Sequence, residues 1–225
     1  MTDHDARIRQ SWQANADAWT RAVREQRIES RRLVTDAAIL GAIADGAARR
    51  VLDIGCGEGW LCRALVEKGS ECVGVDASSP LIDSARAAGG GRFEVMDYTA
   101  LIESGSSLGQ FDVLVCNFAL LDEYIAPLLS ALRERLDPGG RLLIQTVHPW
   151  AACGDEPYAD GWRLETFAAF GGEFSSPMPW FFRTLESWLA LLTASGWRLR
   201  QLREPRHPDT GQPCSLLLDL HALAG

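Results

Sequence analysis

Val51-Leu52-Asp53-Ile54-Gly55-Cys56-Gly57-Glu58-Gly59-Trp60 is the stretch on which the fold turns. An apolar run with strand character enters three glycines at alternate positions, and a helical stretch over 59–68 follows, closed by Gly69. Glycines permit positive φ and let a ligand approach the backbone with no Cβ in the way. The helix behind them offers unpaired N–H groups to an anion. The spacing is GxGxG, preceded by the acid Asp53, and Trp60 stands where a dinucleotide-binding GxGxxG needs its third glycine. A pyrophosphate cradle is therefore disfavoured.

Outward from this corner, short apolar runs alternate with helical ones. Strands are predicted at 51–54, 72–75, 92–96, 111–116 and 141–147, with helices at 79–88 and 122–136 and a turn at Asp137-Pro138-Gly139-Gly140. Strands separated by helices imply a parallel sheet covered on both faces, with right-handed crossovers. Residues 184–194 read as a helix stopped by Gly196, and 197–203 and 215–220 as two strands suited to a β-hairpin. Upstream, Ile8, Trp12, Ala16, Trp19 and Val23 form one stripe of a helix over 5–24, and a second helix spans 29–44 with Gly46 as its stop. Trp12 reads as core, and Trp19 as a closure over a bound cofactor. Between the fifth strand and 182 lies a Gly-, Pro- and aromatic-rich excursion in which short strands or a hairpin are expected. Its aromatics, Trp180 and Phe181 among them, suit a pocket wall for a planar or hydrophobic molecule, or a satellite core under a long loop. The organisation expected is one domain overall: a helical lid at 1–46 and a main body at 47–225 carrying the excursion at 149–183.

Two acids complete the glycine corner. Asp76 follows Gly55 by 21 residues at the end of the second strand, and Asp97 follows by another 21 at the end of the third. Open α/β sheets bind ligands at the carboxyl ends of their strands, and an acid at this strand end can accept both hydroxyls of a ribose. The joint pattern is far more specific than any one part of it.

Composition narrows the partners. The 225-residue chain carries 30 acidic against 22 basic residues, a net charge of -8, which repels polyphosphate at long range and disfavours nucleic acid. Six cysteines show neither CxxC pairing nor a nearby histidine cluster, so reduced thiols, no metal site and a cytoplasmic setting are expected. No signal peptide and no run of membrane-spanning length is visible, so no membrane partner is expected, while a homodimer is compatible with the sequence.

These motifs resemble the class I S-adenosylmethionine-dependent methyltransferases, of the small-molecule, ubiquinone-biosynthesis-like type. Residues 51–59 resemble that family's first motif, Val73-Gly74-Val75-Asp76-Ala77-Ser78 its second, 111–116 its fourth strand, and Leu136-Asp137-Pro138-Gly139-Gly140 the turn before its fifth. The resemblance implies a Rossmann-like, doubly wound, mostly parallel seven-stranded sheet with an antiparallel last strand. It implies S-adenosylmethionine as cofactor and S-adenosylhomocysteine as product. Gly55 and Gly57 would approach the methionine portion, Asp53 would support the loop and orient the amino group, and Asp76 would hold the ribose with Ala77 alongside. Asp97 would accept from the adenine amino group between Met96 and Tyr98, and Asn117 would act near the sulfonium through its backbone. Asn117-Phe118-Ala119-Leu120 lacks the two prolines of the amino-methylating nucleic-acid enzymes. His148, directly after the fifth strand, is the candidate general base. The expected function is methyl transfer to a small aromatic or apolar acceptor. The alternatives are a nicotinamide-dependent oxidoreductase and a catalytically silent S-adenosylmethionine-binding protein.

Overall fold

The computed structural model describes residues 3–45 and 48–223. Helices α1 (Asp3–Ala14) and α2 (Ala16–Arg24) precede a π-helical turn, Arg31–Thr35, that runs into α3 (Asp36–Ala44). Then come β1 (Arg50–Ile54), α4 (Trp60–Val66), β2 (Glu71–Asp76), α5 (Ser79–Ala88) and β3 (Arg92–Val95). They are followed by α6 (Tyr98–Ser104), β4 (Phe111–Asn117), α7 (Ala126–Leu132), β5 (Leu136–Val147) and α8 (Pro149–Cys153). β6 (Gly161–Glu165), β7 (Met178–Phe182), α9 (Leu185–Ala194), β8 (Trp197–Arg203) and β9 (Ser215–Ala222) complete the described chain.

Seven strands form one sheet in the order β3-β2-β1-β4-β5-β9-β8. β1 to β5 are mutually parallel, and β9 runs antiparallel between β5 and β8. This is the doubly wound, Rossmann-like sheet with an antiparallel last strand. Strand alternation sorts the core into two layers. Leu52, Ile54, Leu114, Cys116, Leu142 and Ile144 pack with α7 and α9 on one face. Val51, Val113, Val115 and Leu143 meet α3, α4 and α5 on the other. Five of the six cysteines are buried free thiols, as small core residues should be. No helix among the described residues is long and apolar enough to cross a membrane.

Several elements differ from expectation for identifiable reasons. The stripe over 5–24 is bent at Asn15, whose backbone opens to φ -99°, ψ 5°. Its side chain bonds Ser11, Ser175 and Ser176, so tertiary partners override the helical pattern there. Gly46, the expected stop of the next helix, lies outside the described residues. β3 ends at Val95, so Asp97 does not end a strand but caps α6, an unanticipated helix, by accepting from Ala100 N. α7 starts only at Ala126, with Pro127 in its first turn, rather than at 122. The turn at 137–140 appears as a bulge within β5, where the pairing with β4 jumps from Phe111↔Leu136 to Val113↔Arg141. The expected hairpin in the excursion is the β6–β7 antiparallel pair. Ile39, Ala42 and Ile43 of α3 sit in the sheet core, whereas α1, α2 and the stretch carrying Ile28, Ser30 and Arg31 reach the cavity described below.

Arg141 fastens α3 to the sheet. Its guanidinium is buried, donates to the carbonyls of Ala42 (2.8 Å) and Ile43 (2.9 Å) at the end of α3, and pairs with Asp219 at 3.0 Å. Arg200 also holds Asp219, at 2.6 Å. Arg141→Met should therefore leave the acid paired but strand two buried carbonyls, at a cost of about 2–4 kcal/mol. The urea midpoint should fall with an unchanged m-value; a shift under 0.5 kcal/mol would contradict this role.

Candidate active site

The carboxyl ends of β1, β2 and β4 open into a cavity of about 420 Å³, within the range of small-molecule sites. The glycine corner forms its floor, and α1, α2 and the β6–β7 pair form its roof. Gly55 N (2.8 Å) and Cys56 N (3.0 Å) both donate to Val75 O, tying the corner to the end of β2. Gly55 has φ +75°, and a Cβ there would lie 2.4 Å from the Ala119 methyl, so close docking against the chain after β4 requires glycine. At Gly57, φ +57°, a Cβ would meet only Trp19 Nε1 at 3.6 Å, which places the indole over the loop.

Asp76 is fixed by two backbone donors: Gly57 N to Oδ2 at 2.9 Å and Ser78 N to Oδ1 at 2.8 Å. Burial raises its carboxyl above the usual range, against the pull of those two bonds. One lone pair on each oxygen remains for a ligand on the cavity side. Ala77, Met96, Asp97, Tyr98, Asn117 and Trp19 line the same cavity, together with Gly55, Gly57 and Asp76. Asp97 Oδ2 accepts from Arg9 at 3.0 Å, while the Tyr98 hydroxyl donates to Ala119 O at 2.6 Å. Asn117 Oδ1 accepts from Gln145 Nε2 at 2.8 Å, so its side chain is tied to β5.

Two expected residues lie off the cavity wall. Asp53 is buried beneath the loop, where the Cys62 thiol donates to it at 3.8 Å. His148 turns away between the cavity-lining Val147 and Pro149, and its Nε2 lies 2.9 Å from Glu204 Oε1. The wall thus includes both chain neighbours of His148, while its own ring is held by Glu204. Trp12, expected as core, belongs both to the roof cluster and to the cavity wall. Of the aromatic excursion, Phe167, Phe170, Trp180, Phe181 and Phe182 line the cavity, whereas Trp150 and Tyr158 are exposed.

Three residues carry site geometry that the motifs did not reveal. Glu58, inside the glycine corner, is fully buried between Arg63 Nη2 (2.6 Å to each oxygen) and Arg24 Nε (2.8 Å). Arg31 lines the cavity from the π-helical turn, 4.7 Å above the Trp60 ring and paired with Asp36 at 3.0 Å; its Nη2 has no hydrogen-bond partner among the described residues. Phe118 adopts φ +55°, a costly conformation for a residue with a side chain and one found where sites demand it. No sequence signal marks an arginine whose partners come from another segment; only the position of Glu58 between two glycines hints at its part.

Residues 23–202 match the family described as a methyltransferase domain. The chain belongs to that family. A protein of Haemophilus influenzae, itself uncharacterised, is 24% identical over 84% of this chain and 83% of its own length. The ubiquinone biosynthesis O-methyltransferase of Sinorhizobium medicae is 35% identical over 44% of this chain and 41% of the relative, so the match spans less than half of that enzyme. Among solved structures, the DhpI–SAH complex superposes with a TM-score of 0.65 at 16% identity, covering 98% of this chain and 99% of that one. The methyltransferase therefore shares the fold of that complex over nearly its whole length.

Burial, and secondarily the charge of Asp76, push Asp53 of this methyltransferase up to about 7 from 3.8. A raised carboxyl favours folding fully only below its unfolded value, and that contribution is lost as pH rises through about 7. Asp53→Asn should thus gain stability over wild type between pH 5 and pH 8, by about 3 kcal/mol at 1.36 kcal/mol per unit. Thermal unfolding of both proteins at the two pH values measures it, and a constant difference would show that Asp53 is not the group titrating.

Proposed function

We propose that this methyltransferase holds S-adenosylmethionine on the glycine corner and transfers its methyl group to a small, planar or apolar acceptor under the aromatic roof. The observation that carries the reading is Asp76: a carboxylate at the end of β2, oriented by two backbone N–H groups, with acceptor capacity left on its cavity side. That suits the two hydroxyls of a ribose. The residues fit the rest of the cofactor on two further observations. Gly57 presents bare backbone beneath Trp19, where even a Cβ would already touch Nε1 at 3.6 Å, and Arg31 Nη2 is a buried donor without a partner among the described residues, placed for an amino-acid carboxylate. Met96 and Tyr98 would flank the adenine, and Asp97 keeps acceptor capacity for its amino group beside the Arg9 and Ala100 bonds.

When bound, S-adenosylmethionine supplies a methyl carbon activated by a positively charged sulfur. This chain's residues then have to place the acceptor in line and keep water out, and positioning of that kind can supply much of the rate. Trp12, Trp19, Phe167 and Phe170 close the roof, while Trp180, Phe181 and Phe182 wall the acceptor end. Protonation of the leaving group is unnecessary, so a base is required only for an acceptor that must lose a proton. His148, held on Glu204, serves instead to fix the end of β5.

Calorimetry with S-adenosylhomocysteine and with adenosine tests the cofactor assignment. Asp76→Asn should weaken both ligands by about 10- to 100-fold, whereas Arg31→Met should weaken S-adenosylhomocysteine alone. Equal affinity of wild type and Asp76→Asn for both ligands would remove the ribose role, and stabilisation by NAD(H) in their place would favour an oxidoreductase. For the acceptor end, S-adenosylhomocysteine release is followed across an acceptor screen. Trp180→Ala should raise the acceptor KM several-fold while leaving the cofactor KM near wild type; parallel rises in both would make Trp180 merely part of a satellite core.

A further inference from the structure

Three arginines line the cavity, and their partners differ. Arg9 meets Asp5 and Asp97, and Arg31 meets Asp36. Arg183 is only 4% exposed and has no carboxylate within 4.0 Å among the described residues. Its Nη2 donates to the carbonyls of Asp122 (2.7 Å) and Glu123 (2.5 Å), which fixes the guanidinium at the start of the segment leading to α7. Its Nη1 is buried without a hydrogen-bond partner among the described residues. The group lies 4.8 Å from the Phe181 ring and 5.2 Å from the Trp188 ring, and both rings belong to the cavity wall. Desolvation lowers Arg183 to about 10, the signature of a cation held where water solvates it poorly. A buried guanidinium with an unmade hydrogen bond is costly, so an acceptor oxygen that reached it would be stabilised.

We propose that Arg183 reads an oxyanion on the methyl acceptor, a carboxylate or phosphoryl group attached to a flat apolar body that lies against Phe181 and Trp188. The proposal deepens the methyltransferase reading and rests on it. Arginine suits the task because its planar group both stacks on rings and donates in plane to an oxyanion. With Nη2 engaged by two carbonyls, Nη1 is a buried nitrogen still free to donate to the acceptor. Recognition would reject neutral isosteres, since a neutral group entering here leaves the charge unpaired.

The test keeps the two readings apart. Binding of S-adenosylhomocysteine to wild type is measured first by calorimetry; its failure would sink the cofactor assignment alone. With the protein saturated by that ligand where it binds, and alone where it does not, benzoate, 4-hydroxybenzoate, cinnamate and indole-3-acetate are then titrated against their own amides. Phenylphosphonate is included to separate a phosphoryl from a carboxylate preference. At least one acid should bind about ten-fold or more tightly than its amide. Arg183→Gln, which keeps a donor for the Asp122 and Glu123 carbonyls, should bring that ratio close to one with S-adenosylhomocysteine affinity unchanged. Arg183→Lys, which keeps the charge, should retain part of the preference, and serves if the glutamine variant does not fold. If no acid binds, if every acid matches its amide within two-fold, or if Arg183→Gln keeps the preference, the rings alone satisfy the guanidinium and the proposal is overturned.

Discussion

Three consecutive backbone donors of the glycine corner are given to β2: Gly55 N and Cys56 N to the Val75 carbonyl, and Gly57 N to the Asp76 carboxylate. Everything else at the site follows from that attachment. The corner cannot slide along β2 without breaking all three bonds, and Ser78 N holds the same carboxylate from the far side. Asp76 is therefore both the clamp of the loop and the group left facing the cavity. Positive φ at Gly55 and Gly57 is the conformational condition for this geometry, and the Ala119 methyl excludes any Cβ at the first of them.

Charge is distributed beneath that clamp in a way the net charge of -8 does not convey. The charge of Asp76 adds to the cost of ionising the buried Asp53, while Glu58, fully buried in the same corner, is neutralised by Arg24 and Arg63. Arg24 reaches in from α2 and also donates to Ser84 O on α5, so the glycine corner, the roof and the helix after β2 share one ion-pair network.

The parts of this fold that could be read from sequence are those set by neighbours in the chain. Two-sided burial made β1, β2, β4 and β5 continuous apolar runs, and α5 and β8 fall at their expected bounds. Asp76 was legible because strand, turn and helix follow one another at fixed spacing. What escaped depends on contacts across the chain. Asn15 bends the first helix because Ser175 and Ser176, about 160 residues away, take up its side chain. Tyr98–Ser104 is too short to show a helical period, and its cap Asp97 looked like a strand end. His148 stands at the right edge of the sheet, but Glu204 on the chain after β8 draws its ring away. Arg31 and Arg183 acquire meaning only from what surrounds them in space.

The same division separates the two halves of the proposed active site. The cofactor half rests on backbone geometry: glycine torsions, amide donors and one acid per strand end, which tolerate little variation and leave a strong sequence trace. The acceptor half rests on side chains gathered from α1, the segment after β4 and the β6–β7 pair, joined through Asn15 and the Arg27–Glu173 pairing. The Asn15 bonds to Ser176 are partly buried, whereas Arg27 and Glu173 face solvent, where such pairs contribute little and are screened by salt. The roof is consequently fastened more firmly at the bend between α1 and α2 than at its outer edge. Substitutions in the acceptor half can alter the wall without disturbing the clamp on β2, which is the physical reason that a floor for one cofactor can be combined with a separately shaped acceptor pocket on the same sheet.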